Sequence, residues 1–428
     1  MTNGEPNPTL HPADTPSDLQ QKRKAKLTQI KLAWSIVKVQ ARWRGYVTRQ
    51  RNKFSWPSPL IEDFSRPIMS PPLLQEGFKN IEWVKQFSSL LIRVVTWNLC
   101  ANSPPSTEFF TGILPRNRFH IYVIGSEECE RSIAQSAVNP SKKNWEADLQ
   151  LAVGQYYVPL RSHTLQAIHI IAFAHVSIIP LIGEVRSAAL AMGIGNTLGN
   201  KGAVGISFKV GRTRFCFVNA HLEAHQRAWE TRNLQFNRVH KEMATLLMKA
   251  ECSKEIGLAE GSTASAAAQV KHLEPYTLPE YAERVVFMGD FNYRLNGNRA
   301  VVDSMIKLGM HDALLVNDQL KVSQSKSQVP GEYIEPPLNF KPTYKFDIDS
   351  DDYDTSIKKR VPSWTDRVLY VTNGFECVAY NADFSIRTSD HRPVFASFIA
   401  KIDLSGDHRF DGDKRIEFTS PSQVCSVM

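Results

Sequence analysis

The sequence has few cysteines, and they form no recognisable pattern. There are six in 428 residues, and no two of them make a C-x-x-C pair. The first twenty residues are polar and rich in proline, so they lack the apolar segment of a secretory signal. Both absences are typical of a protein kept in a reducing, intracellular compartment, and we expect free thiols instead of disulfides.

The sequence also lacks an uninterrupted apolar segment long enough to cross a membrane. Its longest apolar run, roughly residues 165–182, is interrupted by Gln166, His169, His175 and Pro180. A membrane-spanning helix needs about 20 consecutive apolar residues. We therefore interpret this run as two successive strands of a buried core. With 42% hydrophobic and 22% charged residues, the chain can bury such a core.

Acidic residues are missing from residues 20–53, and this absence explains the net charge of the chain. The formal net charge is +8, and the segment has eleven Lys or Arg residues but no Asp or Glu. The rest of the chain has 40 basic and 43 acidic residues. A nucleic-acid-binding enzyme would be expected to have basic surface beside its active site. We therefore expect no nucleic-acid partner.

Composition divides the chain into five parts. The N-terminal part is poor in large apolar residues, a composition that predicts disorder. In the part that follows it, apolar positions recur every three or four residues, as in an amphipathic helix. The parts are a disordered N-terminus over 1–20, a basic amphipathic helix over 21–53, a Pro-rich connector over 54–89, a main domain over 90–402 and a flexible tail over 403–428.

Within the main domain, short apolar strands alternate with helical stretches, which predicts an α/β fold. A stretch rich in Gly, Ser and Ala, residues 257–268, predicts a flexible surface insertion. Helices are predicted at about 228–250 and 298–308. Strands are predicted at 91–97, 120–124, 167–173, 203–209, 214–219, 284–288, 367–371 and 394–398.

The basic helix contains a segment, residues 39–49, that resembles the IQ motif at every defining position. The resemblance implies calmodulin or a calmodulin-like partner, bound in the helix-in-groove mode. A basic helix packed on the main domain is the alternative, and attraction to an anionic membrane surface is compatible with either. The defining positions are Val39, Gln40, Arg44, Gly45 and Arg49.

The sequence ends in Cys425-Ser426-Val427-Met428, which has the Cys-a-a-X form of a prenylation signal. The terminal Met favours a farnesyl group on Cys425, whereas Ser426 is a poor aliphatic residue, and patterns of four residues also arise by chance. One prenyl chain binds membranes only marginally. We therefore expect the basic helix to add a second attraction at the cytoplasmic face of a membrane.

Five short polar motifs lie at the ends of predicted strands. A rigid strand with polar groups at its tip suits a catalytic site, although Asn, Asp and Gly are also ordinary residues in turns. Their joint occurrence favours a catalytic site. In chain order the motifs are Val95-Thr96-Trp97-Asn98, Gly125-Ser126-Glu127-Glu128, Asn219-Ala220-His221, Gly289-Asp290-Phe291-Asn292-Tyr293 and Ser389-Asp390-His391-Arg392-Pro393.

This order resembles the DNase-I-like endonuclease/exonuclease/phosphatase superfamily, over about residues 90–400. Within it, three further segments resemble the inositol polyphosphate 5-phosphatases: Gly199-Asn200-Lys201-Gly202, Pro342-Thr343-Tyr344-Lys345-Phe346-Asp347 and Lys359-Arg360-Val361-Pro362-Ser363-Trp364-Thr365-Asp366-Arg367.

The resemblance implies a four-layer α/β sandwich, in which two mixed β-sheets pack face to face with helices outside. It also implies Mg²⁺-dependent removal of the 5-phosphate from phosphoinositides or soluble inositol polyphosphates at a membrane surface. The lipids could be 4,5-bisphosphates or 3,4,5-trisphosphates. Two alternatives stay open: a nuclease or other phosphodiesterase of the same superfamily, and a catalytically weak calmodulin-binding membrane adaptor.

The resemblance assigns roles to the motif residues. Glu128 is implied as the main Mg²⁺ ligand, helped by Asn98. For catalysis it implies that Asp290 orients or deprotonates the attacking water, Asn292 holds phosphoryl oxygens, and His391, oriented by Asp366, contacts the scissile phosphate. His221 would add a further donor to that phosphate, and Asp390 would support the site. The residues implied to bind a neighbouring ring phosphate are Lys201, Tyr344, Lys345 and Arg360.

The sequence departs from the family's pattern at one position. The family usually has Gln before the metal-binding Glu, whereas this chain has Glu127. An extra carboxylate there could point to the other face of the strand and have no effect, which we favour. It could also change the affinity for the metal.

Overall fold

The computed structural model describes residues 84–85, 87–102, 110–129, 142–193, 201–250 and 276–405. The segments predicted as the disordered N-terminus, the basic helix and the Gly/Ser/Ala insertion, the Cys-a-a-X motif and nearly all of the connector and the tail lie outside these residues. Among the described helices, none is both long and apolar enough to cross a membrane.

Twelve strands form two six-stranded sheets within the described residues. The first sheet has the order β11-β12-β1-β2-β4-β3. Its strands are β1 (Ser89–Asn98), β2 (Ile121–Glu127), β3 (Tyr157–Leu165), β4 (Ile168–His175), β11 (Phe375–Ala382) and β12 (Val394–Lys401).

The second sheet has the order β5-β6-β7-β8-β10-β9. Its strands are β5 (Ile182–Ala191), β6 (Gly202–Val210), β7 (Thr213–His221), β8 (Arg284–Asp290), β9 (Tyr333–Ile334) and β10 (Asp366–Val371). Each sheet is mixed, because β1 runs parallel to β2 and β7 runs parallel to β8, while the other pairs are antiparallel.

The two sheets face each other across the main hydrophobic core. Side chains from both sheets, such as Ile92 and Phe217, belong to one buried cluster. The central strands are rich in apolar residues because both of their faces are covered. In β1, every residue from Ser89 to Asn98 is buried.

Helices cover the outer faces of the sheets and complete four layers. The Trp145 indole of α1 donates a hydrogen bond to Ser126 of β2, and α2 packs on β5 and β6. This arrangement confirms the predicted four-layer α/β sandwich. The helices are α1 (Lys143–Val153), α2 (Trp229–Lys249), α3 (Leu278–Tyr281), α4 (Arg299–Lys307), α5 (His311–Leu315) and α6 (Gln319–Ser325).

All eight predicted strands and both predicted helices are present, at slightly different bounds. The interpretation of residues 165–182 as two strands was wrong in its second half. A 3₁₀ helix, Val176–Leu181, follows β4, and β5 begins only at Ile182. The reason is Pro180, which has no N–H to donate to a ladder, together with His175, whose side chain accepts from the Ser177 N–H and starts the helix.

The four described cysteines are free, as expected. Cys129 and Cys216 are buried, and Cys100 and Cys377 are partly buried.

Candidate active site at the strand ends

Five strands bring the polar motifs together at one edge of the two sheets. At the carboxyl ends of parallel β1 and β2, Asn98 lies opposite Glu127. At the ends of parallel β7 and β8, His221 lies opposite Asp290. Antiparallel β10 starts at Asp366, also opposite Asp290. Because parallel strands end at the same edge of a sheet, side chains distant in sequence meet there.

Asp290 lies at the centre of the site and links the two sheets. Its Oδ2 accepts a hydrogen bond from Asn98 Nδ2 at 3.0 Å and lies 3.5 Å from His221 Nε2 and 3.9 Å from His391 Nε2. Its Oδ1 accepts from the backbone N–H of Asn292 at 3.0 Å. Burial raises the pKa of Asp290, against the lowering effect of His391. A buried carboxylate so surrounded can hold a water molecule in one orientation.

His391 forms the predicted pair with Asp366. Its Nδ1 lies 2.9 Å from Asp366 Oδ2, and that oxygen also accepts from the hydroxyls of Thr343 and Thr365, each at 2.9 Å. Burial alone would lower the pKa of His391, but the carboxylates of Asp366 and Asp290 outweigh it and raise the pKa to about 10. His391 is therefore a cation at neutral pH, with Nε2 left to face a bound anion.

Glu128 follows β2 in a left-handed backbone conformation, with a φ of 52°. Among the described residues its carboxylate has no hydrogen-bond donor, and its nearest basic group is His221 Nε2 at 4.0 Å. Burial raises the pKa of Glu128; Lys201 opposes this, and Asp290 adds to it. A non-glycine residue in this backbone region is uncommon and is often found at functional sites.

These residues fit a hard divalent cation. Mg²⁺ prefers oxygen ligands and one or two carboxylates. Glu128 supplies a carboxylate without a donor, whereas the side-chain oxygen of Asn98 already accepts from the backbone N–H of Cys100 at 3.0 Å. Ligand atoms of Asp290, Asp366 and His391 lie within 4.8 Å of one another, but Asp366 and His391 already bond to each other. The assignment of the metal ion to Glu128 and Asn98 stays a prediction.

Lys201 lies at this centre instead of at a separate subsite. Its Nζ lies 2.5 Å from His221 Nε2, and it is buried, which excludes a surface ion pair. Burial lowers the pKa of Lys201, although Asp290 and Glu128 oppose this. Burial and Lys201 also lower the pKa of His221 well below its ordinary value. His221 Nε2 therefore already has Lys201 as a neighbour, and the role of His221 as a donor to the phosphate stays a prediction.

Tyr344 and Lys345 form the rim of the site. The rings of Tyr344 and His391 have centroids 4.4 Å apart, and Lys345 makes an ion pair with Asp390. Although burial raises the pKa of Asp390, His391 and Lys345 outweigh it and lower this pKa. Asp390 therefore holds a cation at the rim, next to the reacting centre.

Arg360 is farther out and joins the rim only through the backbone. Its side chain is 37% exposed, and its Nη1 lies 3.9 Å from Asp354 Oδ2. The backbone N–H of Asp354 in turn donates to the carbonyl of Lys345 at 2.8 Å.

Arg294 is a site residue that the sequence reasoning missed. It is buried, donates from Nε to the carbonyl of Asn292 at 3.0 Å, and lies over the ring of Tyr344, 4.4 Å from its centroid. Its place two residues after Asn292, in the same run as Asp290, is the signal that could have identified it.

Glu127 points into the interior between the two sheets. It is fully buried, and neither carboxylate oxygen meets a hydrogen-bond donor in the described part of the chain. Asn219 lowers the pKa of Glu127, but other effects outweigh it. Burial, with the like charges of Asp290 and Asp366, raises the pKa of Glu127 well above its ordinary value. The residue therefore lies directly beneath the site, within electrostatic reach of it.

Comparison with known proteins supports the predicted family. Residues 95–397 match the model of endonuclease/exonuclease/phosphatase family 2. The chain is 32% identical over 321 residues to phosphatidylinositol polyphosphate 5-phosphatase type IV of Pan troglodytes, covering 72% of this chain and 46% of that protein. It is also 32% identical to polyphosphatidylinositol phosphatase INP53 of Saccharomyces cerevisiae, covering 71% of this chain and 26% of that protein.

A solved structure agrees. The inositol polyphosphate 5-phosphatase domain of SPsynaptojanin, in complex with inositol (1,4)-bisphosphate and a calcium ion, is 29% identical, with a TM-score of 0.60. The alignment covers 75% of this chain and 89% of that domain. The chain spans less than half the length of the two curated relatives. It belongs to endonuclease/exonuclease/phosphatase family 2.

Proposed function

We propose that the chain hydrolyses the 5-phosphate of phosphoinositides or soluble inositol polyphosphates in a Mg²⁺-dependent reaction. The observation that carries the proposal is the arrangement around Asp290. The donor-free carboxylate of Glu128 and that of Asp290 both lie within 4.0 Å of His221 Nε2, and Asp290 also lies 3.9 Å from the cationic His391. The relatives' names supply the substrate class, and the site supplies the chemistry that this class requires.

A phosphate monoester needs this pairing of charges. It carries nearly two negative charges, and its uncatalysed hydrolysis is among the slowest known reactions. Its loose transition state leaves the protein mainly to position the reactants and neutralise charge. A metal ion at Glu128 and Asn98, when bound, would neutralise phosphoryl oxygens on one side. On the other side, His391 presents a second cation, which Asp366 keeps protonated at neutral pH.

We assign to Asp290 the role of orienting or deprotonating the attacking water. Its carboxylate is buried and held by Asn98 and by the Asn292 backbone, so that it cannot rotate freely. Its raised pKa brings it closer to that of a general base working near neutrality. Lys201 donates towards His221 and adds positive charge beside the reacting phosphate.

Phosphate release from a panel of phosphoinositides and soluble inositol phosphates tests the proposal. Wild type and Asp290→Ala are compared, each with Mg²⁺ and with EDTA. We expect metal-dependent release only from 5-phosphorylated species, lost in the variant. Equal release from species with and without a 5-phosphate would contradict the proposed specificity.

A nuclease on the same fold is the rival function. The near balance of charges outside residues 20–53 and the Tyr344-Lys345 rim argue against it. Plasmid nicking in Mg²⁺ distinguishes the two, because a 5-phosphatase is expected to leave the plasmid intact. A catalytically weak adaptor would release no phosphate and nick no plasmid.

We further propose that the segments outside the described residues give the enzyme a calcium-linked input and a membrane address at the cytoplasmic face. The IQ-like motif at 39–49 and the Cys425 signal support this. Unchanged membrane association of Cys425→Ser in cells would contradict the anchor. Calmodulin binding to a peptide of residues 21–53, and its loss on Gln40→Ala with Arg44→Ala, tests the input.

A further inference from the structure

We propose that the loop from Asp354 to Arg360, named here the Ile357 loop, inserts its tip into an anionic membrane surface beside the active site. Ile357 is the most exposed large hydrophobic residue in the described part of the chain, with a relative exposure of 103%. It is followed by Lys358, Lys359 and Arg360. The inference deepens the proposed function, because it favours a lipid over a soluble substrate.

Hydrogen bonds within the loop hold it in a defined conformation that exposes Ile357. The buried carboxylate of Asp354 accepts from the backbone N–H groups of Ser356 at 3.1 Å and Arg360 at 2.7 Å, so that it closes both ends of the loop. The backbone N–H of Lys359 donates to the Ser356 carbonyl at 3.0 Å. A loop with its backbone satisfied in this way holds Ile357 outward at little further entropic cost on binding.

The base of the loop is tied to the second sheet's helices and to the rim of the site. Arg299 of α4 donates to the carbonyls of Asp354 at 2.9 Å and Arg360 at 2.8 Å. The N–H of Asp354 donates to Lys345, which pairs with Asp390 beside His391. A membrane that accepts the tip therefore lies next to the rim of the site. The headgroup of a lipid substrate must pass this rim to reach the reacting centre.

The charges of the tip complement an anionic bilayer. Lys358 and Lys359 are exposed, and neither forms an ion pair with a described residue. Of the acidic residues that precede the loop, Asp347 accepts from Thr355 and Asp351 pairs with Arg387, while Asp349 and Asp352 are exposed. Cations near a bilayer are drawn to anionic headgroups, while an apolar side chain enters the acyl boundary.

A bilayer fits this tip better than a protein partner does. A stable protein interface buries about 800 Å² on each side and needs a matching surface. A single aliphatic side chain on a narrow loop offers far less apolar area than that. A bilayer needs no preformed cavity, so one inserted side chain with flanking cations is enough to add affinity.

The test measures binding of the full-length, unprenylated chain to phosphatidylcholine vesicles with and without phosphatidylserine, in EDTA. These vesicles contain no phosphoinositide, so the result does not depend on catalysis. Ile357→Asp is expected to weaken binding to the anionic vesicles about tenfold, the loss for one unburied aliphatic side chain. Ile357→Trp is expected to tighten it, because Trp favours the membrane interface.

Leu234→Asp is the matched control, since Leu234 is 68% exposed on α2 and is expected to leave binding unchanged. Lys358→Gln with Lys359→Gln is expected to remove part of the preference for phosphatidylserine. Unchanged binding of Ile357→Asp and Ile357→Trp, or an equal loss in Leu234→Asp, would overturn the inference. If the tip binds a protein and not a bilayer, none of the variants will change vesicle binding. That result would overturn the inference too.

A second arm separates this inference from the proposed function. Hydrolysis of soluble inositol trisphosphate by Ile357→Asp is expected to equal that of wild type, while its apparent KM for vesicle-borne phosphoinositide rises. If wild type hydrolyses neither substrate, the proposed function fails, but the vesicle-binding arm still decides the role of the loop.

Discussion

His391 and Asp366 show at the scale of single residues how burial and charge combine. Burial lowers the pKa of a histidine, because it removes water from the charged form. Here two carboxylates reverse that effect and raise the pKa to about 10. The charge of His391 at neutral pH therefore depends on Asp366, which the hydroxyls of Thr343 and Thr365 hold in place.

Replacing Asp366 by Asn tests this dependence. The pKa of His391 is expected to fall, so that the alkaline limb of the pH profile of kcat/KM moves to lower pH. Activity at neutral pH is expected to fall about a hundredfold. Titration of the His391 ring by NMR checks the cause, and an unmoved alkaline limb would rule the dependence out.

The same shift makes stability depend on pH. A histidine whose folded-state pKa is raised binds its proton more tightly when folded, so its stabilising contribution is complete below 6.5. That contribution is lost as the pH rises through about 10. Urea unfolding across this window is expected to show a smaller alkaline loss in His391→Gln than in wild type.

Glu127 illustrates the opposite case of a buried carboxyl without a donor. Its raised pKa means that the folded state favours the protonated form, so its contribution to stability is present at acid pH and is lost as the pH rises. Glu127→Gln is expected to raise the free energy of unfolding by about 1 kcal/mol or more at neutral pH. The gain should vanish below the ordinary pKa of 4.5.

Urea unfolding in EDTA at acid and neutral pH measures this difference without interference from the neighbouring metal ligand. Glu376→Gln, an exposed glutamate on β11, is the control and should change neither value. A destabilised Glu127→Gln at neutral pH would mean that the carboxylate has a stabilising partner after all.

At the scale of elements, strand β10 carries Asp366 into the site, and Arg367 fixes that strand. Arg367 is fully buried; its Nη1 lies 3.1 Å from Asp318, and its Nε lies 2.6 Å from Glu335. Burial would raise the pKa of Glu335, but Arg367 and Lys321 lower it to about 2. The network joins β9 and β10 to the start of α6.

Arg367→Met is expected to destabilise the fold by about 3–5 kcal/mol, because it takes the paired cation from the buried Asp318 carboxylate and leaves Glu335 with Lys321 alone as a cation. Adding Glu335→Gln and Asp318→Asn should restore part of the loss, since uncharged amides need no counter-ion. Thermal unfolding of the single and triple variants measures both effects. If the triple variant is no more stable than the single one, the buried charge is not the cause.

At the same scale, Gly289 allows β7 and β8 to pack close together. Gly289 has a φ of 142°, and a Cβ there would lie 2.0 Å from the carbonyl oxygen of Ala220. Only glycine allows this approach, which brings His221 and Asp290 into register.

At the scale of the whole molecule, the two sheets meet at an edge where the carboxylates of Glu128 and Asp290 both lie near His221. Because a bound ion stabilises only the folded state, Mg²⁺ is expected to raise the melting temperature. The gain is about 2.7 kcal/mol at a hundred times the dissociation constant. Differential scanning fluorimetry with increasing Mg²⁺ measures it. Glu128→Gln should abolish the gain, and Glu146→Gln, a glutamate of α1, should retain it.

The strands that lie at the centre of the sheets were predictable because each contains a run of apolar residues, like β1 and β8, and is buried along its whole length. The predictions omitted β3, β5, β9 and β11, which are less completely buried and carry more polar residues. The 3₁₀ helix after β4 was also missed, because an apolar run by itself does not distinguish a strand from a helical turn.

The sequence by itself supplied the motif residues and, through them, the resemblance to the family. It also predicted eight of the twelve described strands, because those strands depend on local patterns of apolar and polar residues. Only the tertiary structure decided that Lys201 bonds to His221, that Arg294 lies over Tyr344 and that Glu127 points into the core. It also decided which ionisable groups are charged. These features depend on distances between residues far apart in the chain, and the pairing of strands sets such distances.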